Sequence, residues 1–249
     1  MNHQFVMFLL GILFSTHIMA ITDLPPGFPR CKRTDPKMEE CLIAATNQVR
    51  PYIIGGIPDF LPPLENFTVP KITLEDGKGA LNFKAELINV TLMGLEKYKF
   101  TRYNFDVANK SFLIKVEFSH LYLKGKYVMT GQLLLAPIKG DGDFHGNISK
   151  CSCSIYHTVD IVNKHGIDYL KPQLTTPKID IGKITDYGLV GLFKENKDLE
   201  RATQNIIKNN LNVIVEEMLP AIEKVLGAIF DKVIFKSVTK IPYNKLYPE

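Results

Sequence analysis

Residues 198–235 read DLERATQNIIKNNLNVIVEEMLPAIEKVLGAIFDKVIF, and this stretch decides the fold. Leu199, Ala202, Ile206, Leu211, Ile214, Met218, Ala221, Val225 and Ile229 recur at close to helical spacing. A second stripe lies beside the first: Ile207, Val215, Ile222, Leu226, Phe230 and Val233. Together they cover far more than the ~100° face that an ordinary surface helix buries. One long helix is predicted, and it needs to be wrapped on more than one side. At ~1.5 Å per residue, about 38 residues would span roughly 57 Å, which predicts an elongated protein. Pro220 removes the backbone bond to the Glu216 carbonyl and is expected to kink the rod. The kink could follow the curvature of a surrounding sheet or shape the mouth of a cavity.

The wrapper precedes the helix. Leu81, Phe83, Ala85 and Leu87 alternate with Asn82, Lys84 and Glu86, the pattern of a half-buried antiparallel strand. Phe112, Ile114, Val116 and Phe118 alternate in the same way, as do Tyr127, Met129, Gly131, Leu133 and Leu135. Asn109-Lys110 and Lys124-Gly125-Lys126 read as hairpin turns, and Lys139-Gly140-Asp141-Gly142 as a turn or bulge. Cys151, Cys153, Ile155, His157, Val159 and Ile161 share one face of a further long strand. Tyr169 to Lys183, interrupted by Pro172 and Pro177, suits a sheet edge. Asp186-Tyr187-Gly188 leads into the helix. The fold class is α+β: antiparallel strands curled, or closed, round a long C-terminal helix, leaving an apolar tunnel between them.

Upstream, residues 1–20 carry an apolar block from Phe5 to Phe14 and a small residue at Ala20, the layout of a secretory signal peptide. An uncleaved anchor is the alternative, but the block is short for the ~20 residues of a bilayer span. Residues 21–249 form one domain. Thr34 or Asp35 is expected to cap a short helix with Pro36 at or near its first turn, ended by Arg50-Pro51 and Gly55-Gly56-Ile57-Pro58. Leu61 to Pro70 reads as a proline-rich connector. Cys31 and Cys41 could be joined across the cap, a short loop contributing about 2–3 kcal/mol on a chain-entropy view. Asn66, Asn89, Asn109 and Asn147 sit in Asn-x-Ser/Thr sequons and are glycosylation candidates.

The net charge of +4, with 22% charged residues spread along the chain, argues against a dedicated nucleic-acid binder. Nucleophile elbows, paired metal-binding histidines and phosphate loops are absent from the sequence, so no enzyme, cofactor or metal is expected. Gly77-Lys78-Gly79 opens no helix. His157 is either a satisfied core histidine or a group that anchors a ligand by hydrogen bonding. Cys151 and Cys153 sit two apart on a strand, at the edge of disulfide geometry, and read as free apolar cysteines. Pro242, Tyr243 and Tyr247 suggest a tail folded back onto the body.

Several stretches, in order, resemble the takeout/juvenile-hormone-binding protein family of insects. These are Cys31 and Cys41, Arg50-Pro51, Gly56-Ile57-Pro58, Pro62-Pro63-Leu64, Met93-Gly94-Leu95 followed by Tyr98, the run from Leu133 to Gly142, and the ending Pro242-Tyr243 with Leu246-Tyr247-Pro248-Glu249. The chain departs from the family in having no Trp and in Glu65-Asn66. Cys151 and Cys153 are likewise not a standard feature of it. The resemblance implies a secreted, monomeric, non-enzymatic carrier of an apolar small molecule: juvenile hormone, another terpenoid, a fatty-acid-like lipid or a quinone. Inward strand positions and the helix supply the expected lining: Phe83, Leu87, Ile114, Phe118, Met129, Leu133, Leu135, Cys153, Val215, Met218, Ile222 and Phe230. The alternative is an extracellular interaction or signalling protein with a filled tube, acting through its surface on an unidentified receptor.

Overall fold

The computed structural model describes residues 23–58, 60–76, 81–133, 136–193 and 196–249. The signal-like segment, Gly77-Lys78-Gly79 and Leu135 lie outside them. The element order is α1 (Met38–Ile54), β1 (Phe67–Asp76), β2 (Leu81–Met93), β3 (Lys99–Asp106), β4 (Ser111–Leu133), β5 (Ala136–Lys164), β6 (Ile167–Asp180), β7 (Lys183–Leu189), α2 (Lys197–Asn209) and α3 (Leu211–Phe230). A π-helical turn (Asp231–Phe235) and two short helices, α4 (Lys236–Val238) and α5 (Tyr243–Leu246), finish the chain.

All seven strands belong to one antiparallel sheet, ordered β1-β2-β4-β5-β6. Its spine is the pairing of the long strands β4 and β5, from Ser111↔Thr158 to Leu133↔Ala136. Each flank of the spine is shared by two strands. β3 pairs the first part of β4 and β2 the second. β7 pairs the first part of β5 and β6 the second. The sheet therefore has two ends. It is curved but open, since the edge strands β1 and β6 do not pair with each other. The helix α3 lies against both edge strands and so spans the gap.

Several local expectations are corrected. Lys124-Gly125-Lys126 is no turn, because β4 runs through it. Gly125 is there for close approach: a Cβ on it would lie 2.9 Å from the Phe144 ring and 3.0 Å from the Ile88 carbonyl. Lys139-Gly140-Asp141-Gly142 lies inside β5. A Cβ on Gly142 would sit 1.9 Å from the Val190 oxygen, and one on Gly140 2.6 Å from the Gly191 oxygen. These glycines let the Val190–Leu192 crossing rest directly on the strand, with Leu192 fully buried. Asp186-Tyr187-Gly188 belongs to β7, not to a helix lead-in. β1 begins at Phe67, inside the predicted connector, and holds Pro70 because an edge strand can spare that donor.

The helices differ in detail as well. α1 runs past Pro51 to Ile54, since a proline in the last turn costs a single hydrogen bond. Its N-cap is Lys37, with no side-chain cap bond, in place of Thr34 or Asp35; Pro36 lies ahead of the helix, and the Asp35 carboxylate accepts from Lys37 N at 2.8 Å. The long C-terminal helix is interrupted at Asn210 (φ −122°, ψ 19°), and α3 continues unbroken through Pro220. The Asn210 amide donates to the Ile206 carbonyl at 2.8 Å, a local bond that competes with the helix ladder.

Two apolar cores form at the two ends. Ile207, Ile214, Met218, Ala221 and Val225 pack with Leu74, Phe83, Ala85, Tyr127, Ile138 and Leu192. At the other end α1, β3, the π turn and the tail converge on Phe105, Phe112, Ile155, Leu170 and Ile241. Cys31 and Cys41 are joined in a disulfide that ties the N-terminal segment to α1 at this end. The tail is folded back: Ile241, Tyr243, Leu246 and Tyr247 are buried.

One polar chain runs from this second core to the surface. Thr175 donates to Asp231 at 2.5 Å, and its hydroxyl oxygen is 2.6 Å from His157 Nδ1. A carboxylate can only accept, so the threonine proton is committed to it and Nδ1 must carry the histidine proton. The His157 ring stacks on Phe235 with centroids 3.5 Å apart, and its Nε2 is buried without a partner. Burial pushes His157 down to about 4 from an ordinary 6.5, against an opposing pull from Asp231.

Two outcomes follow. The fold favours neutral His157, so its contribution is complete above pH 6.5 and is lost as pH falls toward about 4. The loss is at most about 3 kcal/mol. The melting-temperature advantage of wild type over His157→Gln is expected to shrink across that window. Gly142→Ala is expected to lower the urea midpoint by the equivalent of about 2–3 kcal/mol with an unchanged m-value, because the Val190 backbone must move.

Candidate functional site

The second end of the sheet is not filled. A cavity of about 420 Å³ opens there, within the ~300–1,000 Å³ range of small-molecule sites. Its walls come from eight parts of the chain. α1 presents Leu42, Ala45, Thr46, Val49 and Ile53; β3 presents Phe100 and Tyr103, with Tyr98 just before it. β4 gives the alternating set Phe112, Ile114, Val116 and Phe118. β5 and β6 add Ile155 and Leu170. The N-terminal segment with Leu24 and Phe28, the connector Phe60–Leu64, and the C-terminal residues Phe230, Val233, Ile234, Phe235, Val238, Leu246 and Tyr247 complete the enclosure.

Each wall follows from local chemistry. The period-two alternation of β4 turns its four apolar side chains to one face. On α1, Leu42, Ala45, Thr46, Val49 and Ile53 fall at three- and four-residue steps along one helical face. The π turn widens the helix by one residue per turn and brings Val233, Ile234 and Phe235 to the cavity. The rings lock one another. Phe105 stacks on Phe112 at 4.1 Å, and Tyr247 lies 4.8 Å from Phe105.

The surroundings are nearly all apolar. Polar side-chain oxygens in the lining belong to Thr46, Tyr98, Tyr103 and Tyr247. Two of these are committed to backbone: Thr46 donates to the Ile43 carbonyl at 2.7 Å and Tyr98 to the Thr46 carbonyl at 2.6 Å. Arg50 closes the outside of this wall, donating to the Tyr98 carbonyl at 2.6 Å with its guanidinium 4.2 Å above the Tyr98 ring. Desolvation raises the phenols of Tyr98, Tyr103 and Tyr247 above their ordinary value, so they remain protonated. Among the described residues, no charged side chain is in the lining. Among the described residues, no cluster of His, Cys, Asp and Glu could hold a metal ion.

Of the residues expected in the lining, Ile114, Phe118 and Phe230 face this cavity. Phe83, Leu87, Met129 and Met218 belong to the packed core at the opposite end. Cys153 packs on the cavity-end core without lining the cavity, and Val215 and Ile222 are half-buried on α3 and do not line it. Leu135, and the side chain of Leu133, lie outside the described residues. Cys151 and Cys153 are free, and burial raises their thiols to about 12 and 11, so they are inert rather than nucleophilic. Sequence reasoning missed the α1 face, the aromatic trio Tyr98, Phe100 and Tyr103, and the tail residues Leu246 and Tyr247 as lining. The α1 periodicity was a usable signal; nothing local marks the others.

The sequons differ in setting. Asn66 and Asn89 are exposed with left-handed backbone (φ 52° and 51°), and Asn109 is exposed in the β3–β4 turn. Asn147 is half-buried, with its side-chain oxygen 3.0 Å from His120 Nε2.

Comparison with known proteins places this arrangement. The chain is 23% identical to the circadian clock-controlled protein daywake of Drosophila melanogaster, over 97% of this chain and 96% of that one. It is 22% identical to a Schistocerca gregaria protein named "Putative beta-carotene-binding protein", over 89% and 88%. The crystal structure of Epiphyas postvittana Takeout 1 superposes with a TM-score of 0.67 at 21% identity, covering 85% of this chain and 93% of that one. The pattern of the family described as haemolymph juvenile hormone binding protein matches residues 8–248. The chain belongs to the haemolymph juvenile hormone binding protein family.

Proposed function

We propose that this protein is a secreted, non-enzymatic carrier that holds one apolar small molecule in the cavity between α1, β3, β4 and the C-terminal turn. The observation that carries the reading is a cavity of about 420 Å³ whose lining, among the described residues, contains no charged side chain. Affinity would come from removing ligand surface from water, at about 25 cal/mol per Å², less the cost of immobilising the ligand. The unfilled space weighs against a filled tube acting only through its surface. Membership of a family named for binding a hormone, and a relative named for beta-carotene, both support an apolar ligand. Terpenoids, fatty-acid-like lipids and quinones are the classes to test. Secretion is supported by the signal-like residues 1–20 and by the family's haemolymph designation. No helix among the described residues is long and apolar enough to cross a membrane.

Native mass spectrometry of protein purified from its natural source, followed by organic extraction, is expected to release one apolar compound in near-equimolar amount. Recovery of none, together with no uptake of a fluorescent apolar probe, sinks the carrier reading. Ala45→Phe points a ring into the cavity from the α1 face. It is expected to weaken probe binding at least about tenfold, the loss of roughly 1.4 kcal/mol or more, while far-UV circular dichroism stays unchanged.

A further inference from the structure

The last helical stretch has two unlike sides. Toward the cavity it presents Val233, Ile234, Phe235 and Val238. Toward solvent, Lys232, Lys236 and Lys240 recur at four-residue steps, and all three are exposed. Lys232 belongs to the π turn, Lys236 opens α4, and Lys240 follows in the same run, its N–H bonded to the Ser237 carbonyl at 3.3 Å. At ~1.5 Å per residue the stripe is about 12 Å long. Among the described residues, none of the three lysines is in an ion pair. Their neighbour Asp231 accepts from the Thr175 hydroxyl instead. A helix C-terminus favours cations over its last turn, which accounts for Lys236 and Lys240 but not for Lys232, about a turn farther back. Three ammonium groups held in line without counter-ions repel one another, and an anionic surface would relieve that repulsion.

A second feature adjoins the stripe. Pro242, two residues past Lys240, is bridged to Tyr169 of β6. The bridge sets the β5–β6 hairpin tip beside the end of the stripe. At that tip Ile167 is 44% exposed, among exposed Lys164, His165 and Gly166. The adjacent acid, Asp168, accepts from the Asn163 amide at 2.8 Å. Lysines with an uncovered branched side chain suit a lipid headgroup region, which draws cations to its phosphates and takes an apolar group at the acyl boundary. A sulfated polysaccharide would reward the lysines alone.

We propose that the stripe Lys232, Lys236 and Lys240, with the hairpin tip at Ile167, is a docking surface for an anionic phospholipid membrane. Docked there, the membrane lies one helix diameter, ~10–12 Å, from the cavity. It is then the surface at which apolar cargo is exchanged, a consequence that rests on the carrier reading; the docking itself does not.

The test is flotation with vesicles of phosphatidylcholine, with and without phosphatidylserine. Wild-type protein is expected to bind the phosphatidylserine vesicles at least about tenfold more tightly, and to release them as salt is raised. The triple variant Lys232→Gln, Lys236→Gln, Lys240→Gln is expected to lose that tenfold preference while its circular dichroism stays unchanged. Ile167→Ser is expected to weaken vesicle binding about 3- to 10-fold. Equal binding to both vesicles, indifference to salt, or a triple variant that floats like wild type overturns the docking surface. Tight binding to heparin, with vesicle binding unmoved by Ile167→Ser, assigns the lysines to a polysaccharide and overturns the membrane. A fluorescent apolar probe carried by wild type is expected to pass to phosphatidylserine vesicles at least about tenfold faster than to phosphatidylcholine alone, and the triple variant to show no difference. Equal rates for wild type overturn exchange at this surface. Vesicle binding by a protein that takes up no probe overturns the carrier reading and leaves the docking surface standing.

Discussion

An open, curved sheet exposes an apolar inner face, and α3 is what covers it. The helix lies against both edge strands, β1 and β6, so it closes by side-chain packing what the strands leave open in hydrogen bonding. The contact with β6 is specific. Glu223 accepts from the Ile179 backbone N–H at 3.2 Å and from Lys178 Nζ at 2.7 Å, occupying a donor that the edge would otherwise expose. Gly227 allows the approach: a Cβ there would sit 3.4 Å from Pro177 and 3.5 Å from the Thr175 carbonyl. A closed sheet would not need these contacts. In an open one they decide where the helix lies, and hence how much room remains beneath it.

That room is distributed unequally. Toward β1, α3 sends Ile214, Met218, Ala221 and Val225 into a packed core, and the strand β5 gives up side chains at Gly140 and Gly142 so that Leu192 can fill the remaining space. Toward α1, the helix passes into the π turn, and its aromatic and branched residues spread round a cavity instead of filling it. The chain His157–Thr175–Asp231 spans β5, β6 and the start of that turn. It ties the cavity's C-terminal wall to the sheet through polar groups held in a fixed order, while the lining itself stays apolar.

The sequence made the helix, the strands and their inward parity legible, because periods near 3.6 and of 2 are properties of a single segment. The alternation Phe112, Ile114, Val116, Phe118 was read in its correct sense, and so was the face Cys151 to Ile161. Two kinds of information are not carried by one segment. The first is strand length: Gly125, Gly140 and Gly142 look like turn residues and are instead sites where another backbone presses on a strand. The second is which end of the sheet a residue serves. Phe83 and Phe118 have equally inward side chains, yet β2 lies at the packed end and that part of β4 at the hollow one. The stripes of the long helix divide likewise along its length more than around it. Pro220, the obvious irregularity, does not interrupt the helix; Asn210, whose amide competes with the ladder, does.

The walls of the cavity also differ in what it would cost to move them. Parting β4 from β3 or β5 means breaking a continuous ladder of backbone bonds. The N-terminal segment is held differently. Asp23 pairs with Arg30 and Lys245, Arg33 N donates to the Pro248 carbonyl at 2.8 Å, and the disulfide fixes only the segment's junction with α1. These are exposed ion pairs and single bonds, each worth about 0–1 kcal/mol for the former and 0.5–1.5 for the latter. Leu24 and Phe28 therefore sit on a wall tied to the rest by few polar bonds and held chiefly by packing, with Phe28 against Tyr52 and Phe60.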